Sequence, residues 1–353
     1  MAPRSDSVVV SGAAGALGQR VVGRLAASEG VGRVLALDTV STAEPVPGSC
    51  SLAVDLVSTD LRPLLEGADT LVHLAFTTAV GPDPDDEVAA ANAEGTRRLL
   101  DAATATGVGH VVVVSSATVY GAWPDNPVPL TEEAAVRPNP GFGYGLQKAE
   151  VERQCREWSL AQSGSTSAIL RPAPVLGGGE ESWLARALKA ASPIRTAEVE
   201  PVAQFVHVDD LASAVVLAAE RRLDGVYNVA ADGWVSAEEE RALAGAPPRL
   251  KVPERLATRV AAWGWRWRIG RLPPGLIPYT QHPWVVANDR LRAVGWTPTS
   301  TNEEAYVVAR KGTPWSRLSP KRRQELALAG GGVLLLAGAG GVVLTVLRLR
   351  RRR

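Results

Sequence analysis

Short runs of apolar, mostly β-branched residues alternate with longer stretches of helical character over residues 8 to about 230. A continuous apolar run of this kind is typical of a strand that is buried on both faces of a parallel sheet. The runs are Val8–Val10, Val34–Leu37, Thr70–Leu74, Val111–Val114 and Ser167–Leu170. Helices are predicted to begin between them, near Gly15, Glu87 and Tyr144. The alternation predicts an α/β fold of the Rossmann type, with a doubly wound parallel sheet.

Beyond Asn228 the alternation weakens, and we predict a smaller C-terminal lobe over residues 171–316. Residues 203–230 are expected to return from this lobe to the sheet.

Within the lobe, a stretch rich in tryptophan and arginine places Leu256, Val260, Trp263 and Trp267 on one helical face. The arginines lie largely elsewhere on the helix. Two interpretations remain open, because this face can rest on the interface of a bilayer or pack against the lobe.

The end of the chain has a different character, because residues 326–347 contain no charged side chain and are about long enough to cross a bilayer. A polar, basic linker at 317–325 precedes this run, and an arginine-rich tail at 348–353 follows it. The sequence therefore predicts a C-terminal transmembrane helix that anchors the protein in a membrane. A single span would export the arginine-rich tail, whereas a hairpin would keep both ends inside, and we favour the single span.

Composition narrows the possible functions. The chain has 353 residues, 46% of them hydrophobic, which is enough for a large core. A formal net charge of +1 argues against a general nucleic-acid-binding protein, and no nucleic-acid partner is expected. The two cysteines, Cys50 and Cys155, do not have the spacing of metal ligands, so no metal is expected either. Residues 1–7 do not resemble a signal peptide.

A glycine-rich loop follows the first predicted strand, with Gly12, Gly15 and Gly18 at intervals of three residues. Glycines let a backbone approach a pyrophosphate, and the N-terminus of the next helix favours the phosphate charge. About twenty residues further on, a strand ends in Asp38, whose carboxylate can hold both ribose hydroxyls and would repel the additional phosphate of NADP. The sequence therefore predicts a domain over residues 1–170 that binds NAD rather than NADP.

Candidate chemistry follows the strand Val111–Val114, where Ser115 and Ser116 stand at the carboxyl end of the predicted sheet. Tyr144 and Lys148 are four residues apart on a predicted helix, so the phenol and the ammonium lie on one face. Because a neighbouring cation favours the phenolate, Tyr144 is predicted to exchange a proton with a substrate hydroxyl while a hydride moves to a nicotinamide. These residues predict a redox enzyme.

Together, these features resemble the extended short-chain dehydrogenase/reductases of the NAD-dependent epimerase/dehydratase family. The matching motifs are the glycine loop at 12–18, Asp38, Asp55-Leu56, His73-Leu74-Ala75, Asn92 to Thr96, Ser115 to Gly121, Tyr144 to Lys148, Arg171-Pro172 and His207 to Asp210.

The resemblance implies roles for individual residues. Tyr144 would be the acid/base, Lys148 would hold the nicotinamide ribose and lower the tyrosine pKa, and Ser116 would hydrogen-bond the reacting oxygen. The implied cofactor-binding residues are Gly12, Gly15, Ala16, Leu17, Gly18, Asp38, Asp55, Leu56, Leu74, Ala75, Phe76, Asn92, Ser115, Tyr144, Lys148 and Pro172. A homodimer is implied only by analogy with the family.

The chain departs from the family pattern at Pro174. Sugar-nucleotide members usually carry an asparagine there, two residues after the Arg-Pro pair, and it holds the substrate diphosphate. Proline offers neither a side-chain donor nor a backbone N–H. Candidate replacement cations are Arg186, Arg195, Arg249 and Arg290.

Three functions remain open, each with a small-molecule substrate or ligand. The first, which we favour, is an epimerase or related oxidoreductase that acts on a secondary alcohol of a nucleotide-linked sugar. The second is a membrane-bound dehydrogenase for a lipophilic alcohol, similar to the 3β-hydroxysteroid dehydrogenase branch and favoured by Pro174 and the anchor. The third is a non-catalytic NAD-binding membrane protein. Since NAD is a cytoplasmic cofactor, the catalytic domain is expected on the cytoplasmic side of the membrane.

Overall fold

The computed structural model describes residues 6–40, 46–78, 85–177, 182–191, 194–195, 201–244, 250–267 and 273–308. Its strands are β1 (Asp6–Ser11), β2 (Val31–Asp38), β3 (Ser49–Ala53), β4 (Thr70–His73), β5 (His110–Val114), β6 (Thr166–Pro172), β7 (Val175–Leu176), β8 (Ile194–Arg195), β9 (Val206–His207), β10 (Gly225–Val229) and β11 (Leu250–Lys251).

The α-helices are α1 (Ala16–Ala26), α2 (Arg62–Leu65), α3 (Asp85–Thr106), α4 (Gly143–Ala161), α5 (Trp183–Ala191), α6 (Val208–Glu220), α7 (Ala237–Leu243), α8 (Glu254–Arg266), α9 (Asp289–Ala293) and α10 (Asn302–Val308). Two 3₁₀ helices cover Ala117–Tyr120 and Pro274–Thr280.

Seven parallel strands form the central sheet, in the order β3-β2-β1-β4-β5-β6-β10. The first six follow the strand order of a Rossmann fold, which reverses between β1 and β4. All five predicted strands are present, and the three predicted helices begin at Ala16, Asp85 and Gly143. The prediction of a Rossmann-type α/β fold is therefore confirmed.

Helices cover both faces of this sheet, as the continuous apolar strands require. Val8 and Val10 of β1 pack towards α1 and α6, whereas Val9 packs towards α3 and α4. Successive side chains of a strand point to opposite faces, so each buried strand contributes to two separate core layers. Two small parallel pairs, β7 with β9 and β8 with β11, lie outside the sheet.

The predicted membrane anchor lies outside the part of the chain that the structure describes. Within the described residues, no helix is both long enough and apolar enough to span a bilayer. The linker at 317–325, the span at 326–347 and the tail at 348–353 remain predictions, as does the division into domains at residues 170 and 171.

A buried ion pair joins α4 to the end of β6. Arg171 and Glu152 are each 1% exposed, with Nε···Oε1 and Nη2···Oε2 distances of 2.9 and 2.6 Å. Glu152 also accepts hydrogen bonds from the Ser115 hydroxyl at 2.6 Å and from Arg156 at 2.8 Å. A buried carboxylate is tolerated only when it is paired in this way, because its removal from water is costly.

We expect Glu152→Gln to destabilise the fold by about 3–5 kcal/mol, because it leaves the guanidinium of Arg171 buried without a counter-charge. Urea-induced unfolding would measure the change. Glu150→Gln on the same helix is the matched control, since Glu150 pairs with Arg153 at the surface and such pairs contribute less than about 1 kcal/mol. Equal losses in the two variants would contradict the role of the buried pair.

Candidate active site

The glycine loop joins β1 to α1 in a conformation that requires glycine at two of its positions. Gly12 has a φ of +76°, and a Cβ added there would lie 2.5 Å from the backbone nitrogen of Ala75. A Cβ added at Gly18 would collide with the carbonyl oxygen of Gly12. These two glycines therefore allow α1 and the end of β4 to pack closely against the loop.

Gly15 serves a different purpose. An added Cβ would meet only the Gly12 carbonyl oxygen, at 3.6 Å, so the packing of the chain does not demand a glycine here. Gly15 caps α1, and no side chain caps the backbone amides of the first helical turn, which includes Ala16 and Leu17. This leaves a helix N-terminus that can receive a phosphate group.

A groove of about 320 Å³ runs along the carboxyl ends of β1, β2 and β4, beside this loop. Most of the residues predicted to bind the cofactor line it: Gly12, Gly15, Asp38, Asp55, Leu56, Leu74, Ala75, Phe76 and Asn92. No arginine or lysine is among the described residues that line the groove.

Asp38 ends β2 next to the glycine loop. Its Oδ2 atom accepts a hydrogen bond of 2.9 Å from the backbone N–H of Ala14. The amides of Gly12 and Ala13 donate to the carbonyl oxygen of Leu37, at 2.8 and 3.1 Å, and hold the loop against the strand. The carboxylate thus has a fixed position in the groove, where it can accept hydrogen bonds from ribose hydroxyls.

Two further side chains hold the segment that follows β4. The amide of Asn92 exchanges hydrogen bonds of 2.8 and 2.9 Å with the backbone of Thr77. His73 is buried between the hydroxyls of Ser11 and Thr96, at 2.7 and 3.0 Å. Burial lowers the pKa of His73 to about 3, so it is neutral at neutral pH and acts as a structural group.

Ser116, Thr118 and Tyr144 bring three hydroxyls to the end of β5. The backbone N–H and the hydroxyl of Thr118 both donate to the Ser116 Oγ atom, at 3.2 and 2.9 Å. The Ser116 hydrogen is therefore free to point towards Tyr144, whose pKa Ser116 lowers as a hydrogen-bond partner. This arrangement suits a serine that donates to an oxygen in the site.

Lys148 lies one turn after Tyr144 on α4, on the same face, as predicted. Its Nζ atom is 5.9 Å from the centre of the Tyr144 ring and donates to the Val114 carbonyl oxygen at 2.9 Å. It also lies 3.8 Å from the centre of the Phe76 ring, a cation–π contact. Sequence reasoning did not predict that Phe76 covers the lysine, since the contact joins segments far apart in the chain.

Burial is the main cause of the pKa shifts of Tyr144 and Lys148. It raises the pKa of Tyr144 to about 12, although the hydrogen bond from Ser116 acts in the opposite direction. Burial also lowers the pKa of Lys148 to about 7, and the charge of Glu152 partly offsets this. The sequence predicted that Lys148 lowers the tyrosine pKa; in the structure the cost of burying a charge is the larger effect, and the phenol is neutral.

Aromatic rings pack around Tyr144. Phe142 and Trp183 stack with their ring centres 6.1 Å apart, and Trp183 lies 5.6 Å from Tyr144. With Trp265 of α8 and Pro273 they line a small cavity of about 40 Å³. Beyond Tyr144, the polar side chains among its described lining residues are Thr78 and Gln147. Phe76 lines both this cavity and the groove.

Two predicted cofactor residues are directed elsewhere. The hydroxyl of Ser115 donates to buried Glu152, because neighbouring residues at the strand end point to opposite sides and only Ser116 faces Tyr144. Pro172 is the last residue of β6, is buried and is paired with Val229 of β10. Neither residue is among those that line the groove.

The sequence profile described as the NAD dependent epimerase/dehydratase family matches residues 8–230. The chain belongs to this family. It is an NAD-dependent enzyme of the extended short-chain dehydrogenase/reductase type, with NAD as its cofactor. The open backbone at Gly15 and the carboxylate of Asp38 fit the pyrophosphate and the ribose of that cofactor.

Three similar proteins place this family member in context. A 3-diazoavenalumate denitrifying reductase from a Streptomyces species is 29% identical over 83% of this chain and 96% of its own length. The uncharacterized protein y4nG of Sinorhizobium fredii is 34% identical, but the match spans 48% of this chain and 43% of that protein. The structure of MoeE5 in complex with UDP-glucuronic acid and NAD is 25% identical, with a TM-score of 0.65 over 86% of this chain and 97% of MoeE5.

We expect Asp38→Ala to weaken NAD binding by about 1.5–3 kcal/mol, the typical contribution of hydrogen bonds to a charged group, and to leave NADP binding no weaker than before. Titration calorimetry with both cofactors would measure the change in selectivity. Asp60→Ala is the control, because Asp60 is an exposed carboxylate that pairs with Arg62 and does not line the groove. Unchanged NAD selectivity in Asp38→Ala would contradict the assignment.

Proposed function

We propose that the enzyme transfers a hydride between NAD and the carbon of a secondary alcohol, with Ser116, Tyr144 and Lys148 as catalytic residues. The observation that carries this proposal is the hydrogen bond of the Thr118 hydroxyl to Ser116, which leaves the Ser116 hydrogen free for Tyr144, one helical turn from Lys148. Tyr144 lines the aromatic cavity, and Phe76, whose ring centre lies 5.6 Å from that of Tyr144, lines both the cavity and the cofactor groove. A protein that only binds NAD has no need of such a proton-transfer group.

When bound, NAD would supply the acceptor for the hydride of the alcohol carbon. Tyr144 would take the hydroxyl proton as its phenolate, a form that the Lys148 ammonium and the positive nicotinamide ring of NAD would favour, so that the alcohol loses one hydride and one proton and becomes a ketone. Ser116 donates a hydrogen bond to the reacting oxygen, and Lys148 would hold the nicotinamide ribose. In the reverse direction Tyr144 returns the proton to the ketone oxygen, and its pKa of about 12 keeps it protonated for that step.

The substrate class supported by similarity is a nucleotide-linked sugar. The structure of MoeE5, which resembles 86% of this chain, was solved with UDP-glucuronic acid and with UDP-glucose. With such a substrate, an epimerase would return the hydride to the opposite face of the ketone, whereas a dehydrogenase would release the ketone and NADH.

A second substrate class, a lipophilic alcohol, is favoured by the aromatic cavity beside Tyr144. Pro174 is buried and offers no donor to a diphosphate. Of the candidate cations, Arg186 is exposed, and Arg290 lies against the Tyr227 ring and 3.7 Å from Glu133. The side chains of Arg195 and Arg249 lie outside the described structure.

We expect Tyr144→Phe to lower kcat by about 10²–10⁴-fold, the usual contribution of a positioned acid/base, with the affinity for NAD unchanged. Steady-state turnover and NAD titration would be measured on the same preparation. Tyr227→Phe is the control, because Tyr227 bonds the backbone of Asp224 and lines neither the groove nor the aromatic cavity. Full activity in Tyr144→Phe would refute the proposed chemistry.

A thermal-shift titration with UDP, TDP and GDP in saturating NAD would separate the two substrate classes. A ligand that binds only the folded state adds about 2.7 kcal/mol of stability at a hundredfold excess over its dissociation constant. For a nucleotide-linked sugar we expect one nucleotide to raise the Tm while the others do not. If none of them shifts the Tm, the lipophilic class is favoured, and steroid and isoprenoid alcohols are the next ligands to titrate.

A further inference from the structure

The outer face of α8 carries a stripe of exposed apolar side chains. Leu256, Val260, Trp263 and the cap residue Trp267 are spaced by three or four residues and are 52%, 57%, 60% and 62% exposed. At 1.5 Å per residue the stripe extends over roughly 16 Å. The prediction that these residues share one helical face is confirmed. This face is exposed, although α8 itself packs against the 3₁₀ helix Pro274–Thr280 of the lobe.

Single exposed apolar residues are ordinary on a protein surface, but a continuous stripe needs a partner. Leu146 and Leu160 of α4, for example, are exposed singly and lie 14 residues, or about 21 Å, apart along their helix. The stripe on α8 differs because its members adjoin one another over three turns and because two of them are tryptophan.

The charged residues beside the stripe indicate what kind of surface it contacts. Arg259 and Arg266 of α8 are exposed and lie about 70° and 90° around the helix from the centre of the stripe, at about 100° per residue. Tryptophan on the apolar face and arginine beside it are the combination that favours the interface of a bilayer with anionic headgroups.

The sequence that follows the described residues also favours a bilayer surface as the partner of the stripe. The structure describes residues up to Val308, and the uncharged run at 326–347 is long enough to cross a bilayer, with basic residues on both sides. The intervening residues 309–325 can reach roughly 60 Å at most when fully extended. If that run crosses a bilayer, as the sequence predicts, a tether of this length would keep α8 close to the membrane, and even a weak surface contact would become effectively intramolecular.

The opposite side of α8 faces the proposed active site. Trp265 lines the aromatic cavity beside Tyr144, whereas Trp263 and Trp267 point outwards. A surface that holds the outer face of α8 therefore lies one helix diameter, about 10 Å, from the wall of the cavity.

We propose that the outer face of α8 docks on the surface of an anionic lipid bilayer and thereby holds the aromatic cavity next to the membrane. The proposal does not rest on the identity of the substrate or on the catalytic residues, and its test requires no turnover.

The test uses the full chain, reconstituted into vesicles of phosphatidylcholine and phosphatidylglycerol, in a Cys50→Ser background. Cys50 is exposed and would otherwise be labelled, whereas Cys155 is buried. An environment-sensitive dye is attached at Val260→Cys on the stripe or, as the control, at Leu160→Cys, which replaces the most exposed large apolar residue of α4. Half of the samples contain lipids with a nitroxide quencher on the acyl chain.

We expect the dye at residue 260 to show blue-shifted emission and to lose about half of its intensity or more to the quencher lipid, because the stripe enters the headgroup boundary. The dye at residue 160 should emit as in water in both kinds of vesicle. Trp267→Cys provides a second labelled site on the stripe in case Val260→Cys folds poorly, and NAD binding checks the fold of every variant.

Water-like, unquenched emission at both stripe sites would overturn the proposal. Blue-shifted emission without quenching would also overturn it, because the stripe would then be covered by protein, either a second copy or the chain's own C-terminal residues.

Discussion

The buried carboxylate of Glu152 connects the elements that carry the proposed chemistry. It accepts hydrogen bonds from Ser115 at the end of β5 and from Arg171 at the end of β6. Ser116 is the next residue of the chain after Ser115, and Lys148 precedes Glu152 by one turn of α4. If these elements separated, Glu152 and Arg171 would each be left buried without a counter-charge. The relative position of Ser116, Tyr144 and Lys148 is therefore fixed by an interaction that itself takes no part in the reaction.

The cofactor side of the site was predictable from sequence because its physical signals are local. Apolar strands buried on both faces give continuous runs, and a glycine that approaches another backbone, such as Gly12 or Gly18, cannot be replaced by a larger residue. Asp38 was recognisable from its position after a strand. The edge strand β3 was not predicted, because its exposed residues, among them Cys50 and Leu52, do not form an apolar run.

The features of the site that could not be predicted from the sequence depend on tertiary contacts. From sequence alone Glu152 has the pattern of a surface residue of a helix, and only the fold places Arg171 beside it. Ser115 and Ser116 are adjacent serines that differ only in the side of the strand end to which they point. The ring of Phe76 over Lys148 and the neutral state of Tyr144 follow from burial, which no spacing reveals. The aromatic cavity likewise assembles residues from four separate segments, namely Phe76, Phe142, Trp183 and Trp265.

The proposed chemistry requires that the nicotinamide of NAD reach Lys148 and Tyr144, and a structure of the NAD complex tests this most directly. We predict that the Phe76 ring leaves the Lys148 ammonium, that Nζ comes within about 3 Å of the nicotinamide ribose hydroxyls, and that the nicotinamide lies beside Tyr144. A complex in which Lys148 keeps its contacts with Phe76 and Val114, while the nicotinamide lies away from Tyr144, would contradict the central claim.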